Sequence, residues 1–188
     1  MDETANGRHV RADAQRNIDA VREAAKAVFA VSGVDAPVRE IAARAGVGVG
    51  TVYRRFASKD ALIDELLRLA VQELLTATDR ALARNDGQGL RELLTALGQS
   101  FAAHARYAGL LLERPTDAGT SRRITTAIDE LTKRAVAAGA VHPGTTTDDV
   151  HALILAMRGL VQAAGDAAPA DWQRFLDLHL AGLSAPHR

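Results

Sequence analysis

The 188-residue chain has no cysteine, which excludes structural disulfides, thiolate metal sites and thiol redox sensing together. Aromatic residues make up only 4% of it, too few for the stacking platforms on which single-strand nucleic-acid binding depends. No apolar run approaches the roughly 18 residues of a membrane span. The polar start MDETANGRH lacks the apolar core of a signal peptide, so the expected location is the cytoplasm, with no membrane partner. Catalytic signatures are also missing. There is no GxSxG, P-loop, HExxH or Glu-x-x-His pair, and the six histidines (His9, His104, His142, His151, His179, His187) are scattered. No enzyme, catalytic residue, metal ligand or cofactor is expected. Alternating strand patterns, internal repeats and low-complexity segments are absent as well, and the reading is all helix.

Zero net charge conceals an asymmetry. Between Arg8 and Lys59 there are ten Lys/Arg against five Asp/Glu, and the remainder is correspondingly slightly acidic. That basic stretch surrounds the most informative segment, VREIAARAGVGVGTVYRRFASKD from Val38 to Asp60. Pro37 suits the first helical position. Val38, Ile41, Ala42 and Ala45 give the helix it opens an apolar face, and Gly46 ends it by entering the left-handed region. A second helix is expected from about Gly48. Val47 and Val52 have the spacing of a hydrophobic staple, and Phe56 follows on the same face as Val52. Val49, Gly50, Thr51, Tyr53, Arg54 and Arg55 are left outward, with no acid among them, as suits a helix end entering a groove walled by phosphates. The run GVGVG is a poor dinucleotide loop: it follows an amphipathic helix rather than a strand and lacks the GxGxxG spacing.

The run AGVGVGTVYRRFASKDAL resembles the DNA-binding signature of TetR-family transcriptional regulators: a glycine turn, a Thr-hydrophobe-Tyr core, a Phe, and a Ser-Lys-acid-Ala-Leu helix start. The motif likeness covers about residues 14 to 65, while length and helix order fit the family throughout. One departure is Gly48, where such proteins often carry Ser or Thr; glycine still caps the helix, but without a phosphate-binding hydroxyl. The resemblance implies an N-terminal three-helix helix-turn-helix DNA-binding domain joined to a C-terminal helical ligand-binding and dimerisation domain. On the sequence, these divide into a disordered arm at 1–12, the DNA-binding domain at 13–57 and the C-terminal domain at 58–188. The arm, with Arg8 and Arg11, is either a reach into the minor groove or a solvated tail.

Candidate DNA contacts are Arg39, Val49, Gly50, Thr51, Tyr53, Arg54 and Lys59. Thr51, Tyr53 and Lys59 are expected on phosphates, and Arg54 with the backbone near Val49 and Gly50 on base edges.

Beyond the motif, apolar periodicity predicts a first helix from about Asp13 to Val31 and a long helix from a Ser58 cap to about Arg84. Further helices are expected over Leu90–Glu113, Ser121–Ala138, from a Thr146 cap onward, and after Pro169. Phe101, His104, Tyr107, Leu111, Met157, Arg158 and Trp172 are the candidates to line an effector cavity, each with a plainer alternative as packing or surface. Val150, Leu153, Met157, Leu160, Trp172, Phe175, His179 and Leu183 are the candidates for a seam between two copies; the same stripes would otherwise bury themselves within one chain. The function implied is that of a homodimeric repressor on an approximately palindromic double-stranded operator, released by a small hydrophobic or amphipathic effector. The alternatives are an effector-independent regulator and a helical interaction dimer that does not bind DNA.

Overall fold

The computed structural model describes residues 3–104, 117–164 and 171–184, and all the regular structure in them is helical. The helices are α1 (Glu3–Ser32), α2 (Val38–Ala45), α3 (Val49–Arg55), α4 (Lys59–Ala83), α5 (Gly89–His104), α6 (Ala118–Ala137), α7 (Thr147–Ala164) and α8 (Trp172–Ser184). The chain divides into two compact units, Met1–Leu69 and Ala70–Arg188.

In the N-terminal unit α1 packs on α2, and α2 on α3. Phe29, Ile41, Leu62 and Leu66 are wholly buried, and Val21, Ala25, Val52 and Phe56 complete an apolar centre from all four contributing helices. α1 begins at Glu3 rather than near Asp13. Residues 3–12 are therefore helix, not the disordered arm expected. No proline interrupts that stretch, and extending an existing helix costs far less than starting one. The boundary between the units also falls later than residue 57. Leu62, Ile63 and Leu66 are buried, and Glu65 pairs with Arg22 of α1, so the first turns of α4 belong to the N-terminal unit.

The C-terminal unit is built around α5, which packs against α6, α7 and α8; α7 also touches α6 and α8. Its core joins Leu90, Leu93, Leu94 and Leu97 to Ile128, Leu131, Val150, Met157, Trp172 and Leu176. Side-chain caps set several helix starts. Asp117 accepts from the amides of Gly119 and Thr120 at 2.9 and 3.0 Å, starting α6 slightly ahead of the predicted Ser121. At the expected Thr146 cap, Thr146 and Asp149 form a capping box: Asp149 accepts from the Thr146 amide at 2.8 Å, and the Asp149 amide donates to the Thr146 hydroxyl at 3.2 Å. Hydrogen bonds from the Thr146 hydroxyl and amide hold the Asp149 carboxyl below its ordinary pKa. The buried hydroxyls of Thr78 and Thr132 donate to the carbonyls of Leu74 and Ile128, so neither is left without a partner.

Candidate nucleic-acid interface

The turn between α2 and α3 is fixed by backbone geometry. Gly46 has φ 68° and ψ 27°, its amide donates to the Ala43 carbonyl at 3.2 Å, and the Val47 amide reaches back to Ala42 at 3.0 Å. This pair of bonds is the Schellman arrangement, and a Cβ at Gly46 would be strained by its positive φ. Gly48 then caps α3 with an extended backbone and no side-chain bond, as expected of a residue without a hydroxyl. Ser58 caps α4 by accepting from the Ala61 amide at 3.0 Å.

With Val52 and Phe56 buried, α3 turns Val49, Gly50, Tyr53, Arg54 and Arg55 outward, and Tyr53 is 48% exposed. Thr51 is half-buried and accepts a 3.0 Å hydrogen bond from Arg54 Nη2, which steadies the guanidinium on the outer face. Arg39 is exposed on α2, and Lys59 is half-buried in the first turn of α4. The seven predicted contacts thus come from the helix-turn-helix and the helix start that follows it. Two further cations lie outside those seven, one of them the Arg55 that the sequence pattern turns outward. Arg44 is exposed in the last turn of α2, and Arg55 is exposed with its guanidinium 5.9 Å from the Phe56 ring centre. Their signal is present all the same: both are cations on faces that the apolar pattern leaves outward.

Charge pairing separates this region from its surroundings. On α1, Arg16 pairs with Asp13, Arg22 with Asp19 and Glu65, and Lys26 with Glu23. From Arg39 to Lys59, by contrast, Arg39, Arg44, Arg54, Arg55 and Lys59 form no ion pair among the described residues. Glu40 is the one acid between them. The arrangement leaves positive field on the side of the unit that carries α3, able to meet a polyanion without first breaking internal bridges.

Of the seven predicted effector residues, five lie among the described residues. Met157 and Trp172 are buried in the C-terminal core, and the buried His104 holds its Nδ1 2.7 Å from the Ser100 carbonyl oxygen. Phe101 packs against that core and Arg158 is half-buried on α7. None of these five lines a described cavity, while Tyr107 and Leu111 lie outside the described residues.

The predicted seam splits in two. Val150, Leu153, Met157 and Trp172 are buried within the chain's own core and have little surface to offer a second copy. Leu160, Phe175, His179 and Leu183 keep accessible surface, with the His179 ring packed on Phe175 at 3.9 Å between centres. The outer face of α7 and α8 carries further residues outside the predicted seam: Ala152, Leu155 (64% exposed), Ala156, Leu178 (59% exposed) and Gly182. A groove of about 530 Å³ runs along it, between Ala152 and Ala156 on one side and Leu178, His179 and Gly182 on the other.

Among the described residues no helix is long and apolar enough to cross a membrane, and no three His, Cys, Asp or Glu side chains gather where an ion would sit. A comparison with curated proteins finds no match. The sequence profile of the bacterial regulatory proteins of the tetR family matches residues 21–66, the segment from mid-α1 to α4. Among solved structures, the chain is similar to a TetR transcription regulatory protein from Mycobacterium vanbaalenii, at 29% identity over 93% of this chain and 98% of that one, with a TM-score of 0.65. A TetR transcriptional regulator from Streptomyces coelicolor is likewise 29% identical, over 88% and 97% of the two chains, with a TM-score of 0.64. A ketosteroid transcriptional regulator from Mycobacterium tuberculosis shares the fold at 24% identity over 88% and 94%, with a TM-score of 0.62. Residues 21–66 thus carry the DNA-binding domain of the tetR family of bacterial regulatory proteins, with α2 and α3 as its helix-turn-helix, and the two 29% likenesses, spanning nearly the whole length, give the chain the fold of TetR transcriptional regulators.

Proposed function

We propose that the protein is a homodimeric repressor that occupies an approximately palindromic duplex and leaves it when a small hydrophobic or amphipathic effector binds. The observation that carries the DNA reading is the set of cations from Arg39 to Lys59, with no ion pair among the described residues, on and beside a short helix whose outer face has no acid. In this reading Thr51, Tyr53, Lys59 and Arg39 hold phosphates, and Arg54 with the backbone at Val49 and Gly50 meets base edges. Arg44 and Arg55 add further phosphate contacts.

Two copies present two such helices, so the operator has two half-sites about one helical turn, or a small multiple of one, apart. The copies meet through the outer face of α7 and α8. Supporting this is its run of small and exposed apolar residues, Ala152, Leu155, Ala156, Gly159, Leu160 and Leu178, which allow close approach. Binding to chromosomal DNA places the protein in the cytoplasm. An effector lowers DNA affinity only by its differential affinity for conformers with different helix spacing, typically about 1 to 3 kcal/mol of coupling.

The test is a fluorescence-anisotropy titration of the purified protein with duplexes from DNA flanking its own gene, repeated across a range of salt concentrations. Specific binding should weaken with a log–log slope of roughly −0.9 for each phosphate engaged. A protein that ignored every such duplex in dilute buffer would end the reading.

A further inference from the structure

The C-terminal unit holds a groove that neither the DNA contacts nor the α7–α8 face uses. It lies between the last turns of α4 and the first half of α6, with a volume of about 500 Å³, and Leu82, Arg122, Thr126 and Ala127 are among its lining residues. The α6 contribution is a single stripe, since Gly119, Arg122, Arg123, Thr126, Ala127 and Glu130 recur every three or four positions. Two polar links hold α4 and α6 together beside it: Arg123 Nη2 donates to Asp79 at 2.5 Å, and Arg134 Nη1 donates to the Leu82 carbonyl at 2.7 Å.

Ion pairing also settles the charge of the groove. Arg123 is neutralised by Asp79, and Glu130 by Arg134, whose Nε stands 2.7 Å from Oε1. Arg122 has no ion pair or hydrogen bond among the described residues. Among the described residues the lining is thus left with one uncompensated cation, a hydroxyl one helical turn further on at Thr126, and an apolar floor of half-buried Leu82 and buried Ala127. A planar guanidinium matches a carboxylate, and a volume of this size is that of a small-molecule site.

We propose that this groove binds a small amphipathic monocarboxylate, its head on Arg122 and Thr126 and its chain along Leu82 and Ala127. The role of such a ligand as effector rests on the function proposed above; its binding does not, and it is measured without DNA, so the two readings fail separately.

The experiment is isothermal titration calorimetry of the full chain with octanoate, with octylammonium as the charge-reversed probe of similar length. Octanoate should saturate at one site per chain and octylammonium should not. Arg122→Glu should weaken octanoate at least tenfold, and Thr126→Tyr, which fills the groove from an exposed position, should abolish saturation; circular dichroism should show both variants folded. Failure of octanoate to saturate, or equal binding by the wild type and a folded Arg122→Glu variant, overturns the proposal.

Discussion

The indole of Trp172 lies directly over Gly98: a Cβ built on that glycine would stand 2.3 Å from Cε3 and 2.4 Å from Cζ3. Gly98 is therefore the position at which α5 admits α8 to the core of the C-terminal unit, and Trp172 is buried there. Gly98→Ala would gain helix propensity worth up to about 1 kcal/mol but must push a large ring out of a packed site, which costs about 1 to 3 kcal/mol. Crowding wins at these distances, so the variant should melt several degrees lower, at about 2 to 4 °C per kcal/mol for a chain of this length. Gly50 of α3 is the control, because a methyl group placed there would meet nothing within 4 Å and it lies away from the face proposed to join two copies. Gly50→Ala should leave the melting temperature of the free protein unchanged or raise it. Differential scanning calorimetry compares the two.

DNA contacts of two kinds should separate by their salt dependence. Arg54→Ala should cost about 1 to 3 kcal/mol of affinity and relax sequence preference in one part of each half-site, as removal of a base-reading side chain does. Lys59→Ala and Arg44→Ala should weaken all duplexes alike, and each should make the salt slope of the dimer shallower by about 2, because one phosphate in each half-site is no longer neutralised. If Lys59→Ala changed preference without altering the slope, the assigned roles would be reversed.

The inner and outer faces of α7 give opposite variants. Leu155→Asp and Leu178→Asp change exposed positions, so they should produce monomers in sedimentation velocity while the circular dichroism stays helical. Met157→Ala empties a wholly buried site and should cost about 2 to 5 kcal/mol of stability. Dimers that survived both aspartate changes would remove the outer face from the interface.

Glu65 links the acid sensitivity of the N-terminal unit to a named contact. Its hydrogen bond from Arg68, reinforced by Arg22, holds its carboxyl below the ordinary value of 4.5, against partial burial that works the other way. A depressed folded value means stability that is fully present above the unfolded value and is lost as pH falls through the folded one. Glu65→Gln should therefore melt below the wild type at neutral pH, and the two curves should converge in strong acid. A gap that persisted there would assign the loss to packing instead.

The N-terminal unit was legible in the sequence because each of its devices is local. Gly46 and Ser58 act within a few residues of themselves, one through a left-handed backbone and the other through a side-chain hydrogen bond, while Pro37 stands at the N-cap with φ −73° and ψ 144°, one residue ahead of the first helical position expected for it. The start of α1 was not, because Gly7 and a polar composition resemble a tail unless the helix downstream is already formed. Which side of α7 turns inward was not legible either, for a different reason. α7 is apolar on most of its circumference, so periodicity finds Val150, Leu153 and Met157 as easily as Ala152, Leu155 and Ala156, and does not say which set faces α5. Cavity lining is hard to read for another reason: bulk and polarity in a sequence do not reveal a void. Trp172 has the size to border one and instead closes the space over Gly98.

With a bare glycine at its entry, α3 is a poor candidate for transplantation on its own. A seven-residue helix with no side-chain bond at its start holds its shape only through Val52 and Phe56, which are anchored from outside it. Excised as a peptide, α3 would be a coil in water. A designer who wished to move this protein's operator preference into another regulator would have to carry the supporting helices along with the residues that read the bases.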